Sequence, residues 1–260
     1  MSVGKKAKVL FMDGEHERAV GAFYDAAAGG DAEAAFDYAF CRQFGFGGPR
    51  DARAARSFYN FAKERIPDAC YNLAVMYMHG EGVPRDYRLA YEYMRDAALG
   101  GVIEAQLYLG VAHTMGTLFE PDIIAISHIP YHTPVSRDPS LAIEGEVPDA
   151  LSDEDARIRA VRFDPQSAFE WFRRAAEHDS TYVEALATQS KYLYARCFVD
   201  GLGTDFDRKR AEDLMLVAAS DGSPEALAFL EERAPYRLPE LSDSEAISEI
   251  RRVARLPEKA

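Results

Sequence analysis

Small and apolar residues between Ala69 and Ala105 recur at helical spacing, break at a pair of glycines, and then recur again. Ala69, Leu73, Ala74 and Tyr77 share one helix face. After Gly80 and Gly82 a second set follows: Ala90, Tyr93, Ala97 and Ala98. The pattern predicts two helices joined by a turn. Related segments begin near Ala34, Ala105 and Ser190. One such unit cannot bury its own apolar face, but stacked copies can. The expected fold is therefore an all-α solenoid, which presents surface more readily than a catalytic cleft.

Alignment on the glycines puts the copies in register. The pairs are Gly45 and Gly47, Gly80 and Gly82, and Gly201 and Gly203. An aspartate follows each pair (Asp51, Asp86, Asp207), then an alanine (Ala55, Ala90, Ala211), then a large residue (Phe58, Tyr93, Leu214). Ala97-Ala98 and Ala218-Ala219 close the second helix. In the first helix, Ala69, Leu73, Ala74 and Tyr77 correspond to Ala105, Leu109, Gly110 and His113, and to Ser190, Tyr194, Ala195 and Phe198. Ala and Gly slots let helices approach closely, and the large slots fill the gaps between them. The glycine turn supplies positive φ where the first helix ends, and the aspartate caps the second.

These residues resemble the Sel1-like repeat, a relative of the tetratricopeptide repeat. Residues 69–101 match its pattern closely, through Gly80-Glu81-Gly82-Val83, Asp86, Ala90 and Ala97-Ala98; residues 190–222 match well, and 34–67 loosely. A further repeat is split: its first helix is 105–116, and its second runs from Asp164 to Glu177, with Ala168, Trp171 and Ala175-Ala176 in register. Trp171 is expected in the core. Residues 15–28 read as a second helix alone, and 224–233 as a first helix alone, ended by Pro235. A last amphipathic helix is expected over 243–255, with Ser242 and Glu245 spaced as a capping box. The resemblance implies a right-handed α/α superhelix over 1–235, with an insertion at 117–163. Residues 236–260 follow as a C-terminal capping or docking helix.

Composition narrows the function. With 48% hydrophobic residues in 260, the chain can build an extended helical core. A net charge of −13 argues against a nucleic-acid surface, because phosphate binding needs clustered Lys and Arg. Lys5, Lys6 and Lys8 are followed only by Val9 to Met12 before Asp13-Gly14, too short for an export signal. No stretch is long enough to span a bilayer. Cys41, Cys70 and Cys197 do not recur in pairs within a unit, so free thiols and a cytoplasmic location are expected.

Two departures from the repeat are places for specific function. The larger is the 47-residue insertion from Thr117 to Phe163, rich in Pro and β-branched residues, with a short helix expected from Ser152 and Asp155 placed for capping. It emerges at a turn, where function tends to gather; its alternatives are a packed decoration or a disordered loop. The second is the step from Ala176 to Ser190, seven residues longer than the step at 98–105. Seven residues are two helical turns, so the next helix is expected to start early, near Tyr182.

In the resembling family the first helices line the concave side. Taking Tyr38, Leu73, Leu109 and Tyr194 as origin, the positions facing that side hold Phe36, Phe40 and Phe44; Tyr71, Val75, Met78 and His79; Leu107, Val111 and Met115; and Tyr192, Arg196 and Val199. An apolar patch of that extent marks a binding site, and Met and aromatics suit a gripped helix or extended peptide. The alternatives are a tight superhelix, or an insertion folded back over the groove.

Chemistry is poorly represented. His113, His128 and His132 lie in or beside the insertion, near Glu120 and Asp122, but Pro130 between the latter two histidines breaks a helical ligand spacing. Tyr131 and Pro134 suit a peptide-like turn better. Glu15, His16 and Glu17 read as a solvated helix start, and no phosphate loop or nucleophile elbow is present. Neither cofactor nor metal is expected. The reading is a bacterial, cytoplasmic adaptor or scaffold that binds another protein, through the concave face or the insertion. The alternative is a dedicated inhibitor or immunity protein that blocks one toxin; a third is an enzyme or metal site within the insertion.

Overall fold

The computed structural model describes residues 3–118, 161–178 and 184–237, together with Glu245, Glu249 and Arg252. Among the described residues there are eleven α-helices and no strand. The chain divides into two units, Met1–Ala105 with Thr117–Arg162, and Gln106–Gly116 with Phe163–Ala260.

The first unit holds three helix pairs: α1 (Val3–Met12) with α2 (His16–Ala28), α3 (Ala32–Phe44) with α4 (Ala52–Ala62), and α5 (Pro67–His79) with α6 (Tyr87–Leu99). Ala19, Ala55 and Ala90 are fully buried, and so are Phe23, Tyr59 and Met94, each four residues later. The large slot three residues after the alanine is only half-buried at Phe58 and Tyr93. Helix geometry explains the difference. The alanine and the two closing alanines centre the buried face about 20° round the helix. The fourth residue lies about 40° round, and the third about 60° to the other side. Trp171 falls in that third slot. It is half-buried with the Arg174 guanidinium 5.2 Å above its ring, while Phe172 takes the core position.

The second unit takes most of α7 (Ile103–Met115), then α8 (Pro165–Ala176), α9 (Glu184–Asp200), α10 (Arg208–Ser220) and α11 (Pro224–Arg237). A side chain at Gly110 would strike the Phe172 ring, so the glycine slot of α7 is where α8 seats its core residue. The insertion leaves its turn intact. The Asp164 amide donates to the His113 carbonyl at 3.0 Å, in the same register as Asp207 to Phe198 at 3.2 Å. Asp51, Asp86, Asp164 and Asp207 each cap a second helix, accepting from the third amide at 2.9, 2.9, 3.1 and 3.0 Å.

Two further features differ from the sequence expectation, and a third agrees with it. Residues 15–28 are not a lone second helix, because α1 precedes and pairs with it, Ala7 and Phe11 sharing one core cluster with Ala19 and Phe23. Helix α11 runs to Arg237, two residues past Pro235. A proline there costs one i→i−4 hydrogen bond, and the helix continues past it. Helix α9 has 17 residues against 13 in α3 and α5, in keeping with a long first helix; Tyr182 itself lies outside the described residues. The expected helix from Ser152 lies outside them too, as does most of that over 243–255, where Glu245, Glu249 and Arg252 are helical.

No helix among the described residues is long and apolar enough to cross a membrane. Cys41, Cys70 and Cys197 are free and buried. Burial pushes the Cys70 thiol up to about 11 and Cys197 to about 12, and raises Cys41 as well. All three should therefore resist alkylation in the native protein and react once it is denatured without reductant. Mass spectrometry counting three alkylated cysteines is the expected result; a disulfide would contradict it.

Candidate protein-binding surface

The first helices carry every residue expected in the groove, and packing sorts those residues into two kinds. Phe36, Phe40, Tyr71, Val75, Met78 and Leu107 are buried. Phe36 packs on Tyr59 of α4 with ring centroids 5.5 Å apart, inside the cluster that joins α3 to α5. Phe40 belongs to the cluster of α1, α2 and α3, stacked on Phe46 at 5.8 Å. The accessible kind are Phe44 and His79 in the first unit, and Val111, Tyr192, Arg196 and Val199 in the second, all half-buried. Met115, also in the second unit, is 57% exposed. Arg196 is held at 2.8 Å by Asp200 and at 3.2 Å by the Tyr192 hydroxyl, which fixes its guanidinium along α9. His113 is buried, and His128, His132, Glu120 and Asp122 lie outside the described residues. Among the described residues no group of three or more His, Cys, Asp or Glu side chains could hold a metal ion.

Sequence reasoning missed three other sites. The first is a polar network between neighbouring repeats. Glu81, the middle residue of its glycine turn, accepts from Gln43 at 2.8 Å and from Arg50 at 2.7 Å. Tyr59 donates to Gln43 at 2.9 Å, and Asn72 bonds the same hydroxyl, whose pKa burial raises strongly. These partners lie far apart in sequence, and no local pattern marks them.

The second is Asp37 on α3, with no exposed surface, whose pKa burial raises to about 7. The third is a cavity of about 290 Å³ in the second unit, lined by Val199, Phe206, Ala211 and Phe229, with Arg208 and Arg233. Arg233 stacks on Phe229 at 3.8 Å, and Arg208 bonds Glu212 at 2.9 Å, so both cations are already engaged. Phe206 replaces the arginine that precedes the capping aspartate at Arg50 and Arg85, a substitution visible in the aligned repeats.

The helix pairs, turns and caps have their counterpart among known proteins. The family model described as Sel1 repeat matches residues 32–65, 67–102, 103–125, 159–180 and 188–223, which cover more than half of the chain and split one repeat at the insertion. The crystal structure of a Sel1 repeat protein from Oxalobacter formigenes is similar, with a TM-score of 0.68 at 18% identity, over 97% of this chain and 84% of that one. A protective antigen of uropathogenic Escherichia coli strains, displaying an SLR fold, aligns with a TM-score of 0.47 at 15% identity, over 98% of this chain and 57% of that one. No curated protein matches the chain. With five matched segments in register along α3 to α10, the chain belongs to the Sel1 repeat family.

Proposed function

We propose that this protein is an interaction scaffold that grips a partner polypeptide through the accessible first-helix residues of its second unit: Val111, Met115, Tyr192 and Arg196. Sel1 repeat proteins are generally protein-interaction scaffolds, and their fold is typically non-enzymatic. The observation that supports this reading most is Met115, a large flexible apolar side chain 57% exposed at the end of a repeat helix. Exposed Met and half-buried aromatics adapt to a helix or an extended peptide. The buried free thiols support a reducing, cytoplasmic setting.

Capture of the partner from the native cell, followed by affinity measurement, tests the proposal. Val111→Asp with Met115→Asp places charge on accessible positions of one helix and should leave the fold intact. An unpaired carboxylate in an apolar contact costs on the order of several kcal/mol, so affinity should fall by about 100-fold or more. A folded double variant that binds as tightly as the parent would remove α7 from the interface. A single partner bound one-to-one at extreme affinity would instead favour the inhibitor reading.

A further inference from the structure

Helix α1 packs on α2, and its Gly4 and Lys8 lie against α3. Of its ten residues, Gly4, Ala7 and Phe11 are buried. Segments with few buried side chains are the first to open locally. At this junction the chain places a carboxylate that is poorly served. Asp37 has no exposed surface, and neither of its oxygens has a hydrogen-bond partner among the described residues. Its nearest cation is Lys8 of α1, with Nζ 3.5 Å from Oδ2, too long for a good hydrogen bond. Lys8 is shared with Glu33 at 3.3 Å and is itself partly exposed. The other charged or titratable groups acting on this cluster are Asp31, Cys41 and, from α4, Tyr59. Lys5 lies one turn earlier on α1 and is exposed. Helix α2 contributes Ala19, Val20, Phe23 and Ala26, all apolar.

We propose that α1 is a proton-linked cover: its docking on α3 takes up a proton at Asp37, and its release is favoured as pH rises towards neutrality. Burial outweighs the attraction of Lys8 and raises the Asp37 carboxyl from 3.8 to about 7. In the docked state Asp37 therefore keeps its proton over a range where the open state has lost it. Docking is strongest below about pH 4, weakens as pH rises from about 4 to about 7, and is constant above that. The analogous position in the next repeat is Asn72, an uncharged residue paired with Tyr59, so that repeat lacks the linkage.

Hydrogen exchange read by mass spectrometry tests the proposal, with rates corrected for the intrinsic pH dependence of exchange. Protection of the amides of residues 3–12 should fall by roughly 30- to 100-fold between pH 5 and pH 8. Asp37→Asn keeps the shape without the charge, and its protection should be independent of pH. Lys8→Met removes the nearest cation to the ionised form. It should lower protection further at pH 8 and leave pH 5 unchanged. Helix α1 protection that does not vary with pH in the parent would overturn the proposal. So would a pH dependence that survives in Asp37→Asn, or one shared equally by α5 and α6, which would report global unfolding. Should Asp37→Asn fail to fold, the Lys8→Met comparison decides alone.

Discussion

Replacing Gly82 by valine should destabilise the protein by about 2–4 kcal/mol, read as a shift in the denaturant midpoint. Two penalties add. Gly82 has φ +67, a conformation that a β-branched residue reaches only under strain. It also lies against the next helix over: a Cβ here would stand 2.5 Å from the Cβ of Ala52, the first residue of α4. The same contact recurs elsewhere. A side chain at Gly47 would strike the backbone of His16, which opens α2, and one at Gly203 would strike that of Pro165, which opens α8. The second glycine of the turn is thus the point where one repeat seats on the previous one. Gly30 is the control, with φ +92 but open space around it. Gly30→Val carries the conformational penalty alone and should cost less. Equal losses at the two positions would mean that the seat contributes nothing. An unchanged midpoint for Gly82→Val would refute the turn assignment.

The features legible in the sequence are those set by local geometry. Positive φ at Gly45, Gly80 and Gly201, and the capping aspartates, depend on residues within a few positions of each other. So do the alanine slots, which is why the split repeat could be read across its insertion. Features set by packing between repeats were not legible. Gly82 meets Ala52, and Glu81 meets Gln43 and Arg50, across at least 30 residues of chain. Helix α1 was missed for another reason. It joins α2 through the short Asp13-Gly14-Glu15 turn, without the glycine pair that marks the other units, and its three lysines obscure the buried face. The candidate surface was half legible. Its residues lie on the first helices, but helical periodicity alone cannot tell a groove from an interior. Phe36 and Phe40 face packed neighbours, whereas Val111 and Met115 at equivalent spacing remain accessible.

The polar network around Glu81 leads to the second large effect. Glu81→Ala removes two charge-assisted hydrogen bonds and leaves the buried Gln43 amide without its acceptor. Arg50 loses its carboxylate but keeps access to water, since its side chain is 32% exposed. The expected loss is about 2–3 kcal/mol, most of it from the stranded Gln43. Arg50→Ala alone should cost less, because Gln43 then still bonds Glu81. The double-mutant cycle should return a coupling of about 1 kcal/mol. Glu81→Gln keeps an acceptor for Gln43 and should recover part of the loss. The wider consequence is repeat identity. The residue equivalent to Glu81 in the preceding turn is Phe46, which sits among Phe11, His16 and Phe40 with ring centroids 5.4, 5.6 and 5.8 Å away. A phenylalanine in the Glu81 seat would face Arg50 and Gln43, and a glutamate in the Phe46 seat would face aromatic rings. These two seats are therefore matched to different predecessors, the polar one to α3 and α4 and the aromatic one to α1 and α2. Exchanging the two residues, Phe46→Glu with Glu81→Phe, should destabilise by more than either single change. A stable exchange variant would show that the seats are interchangeable and that the network adds no specificity.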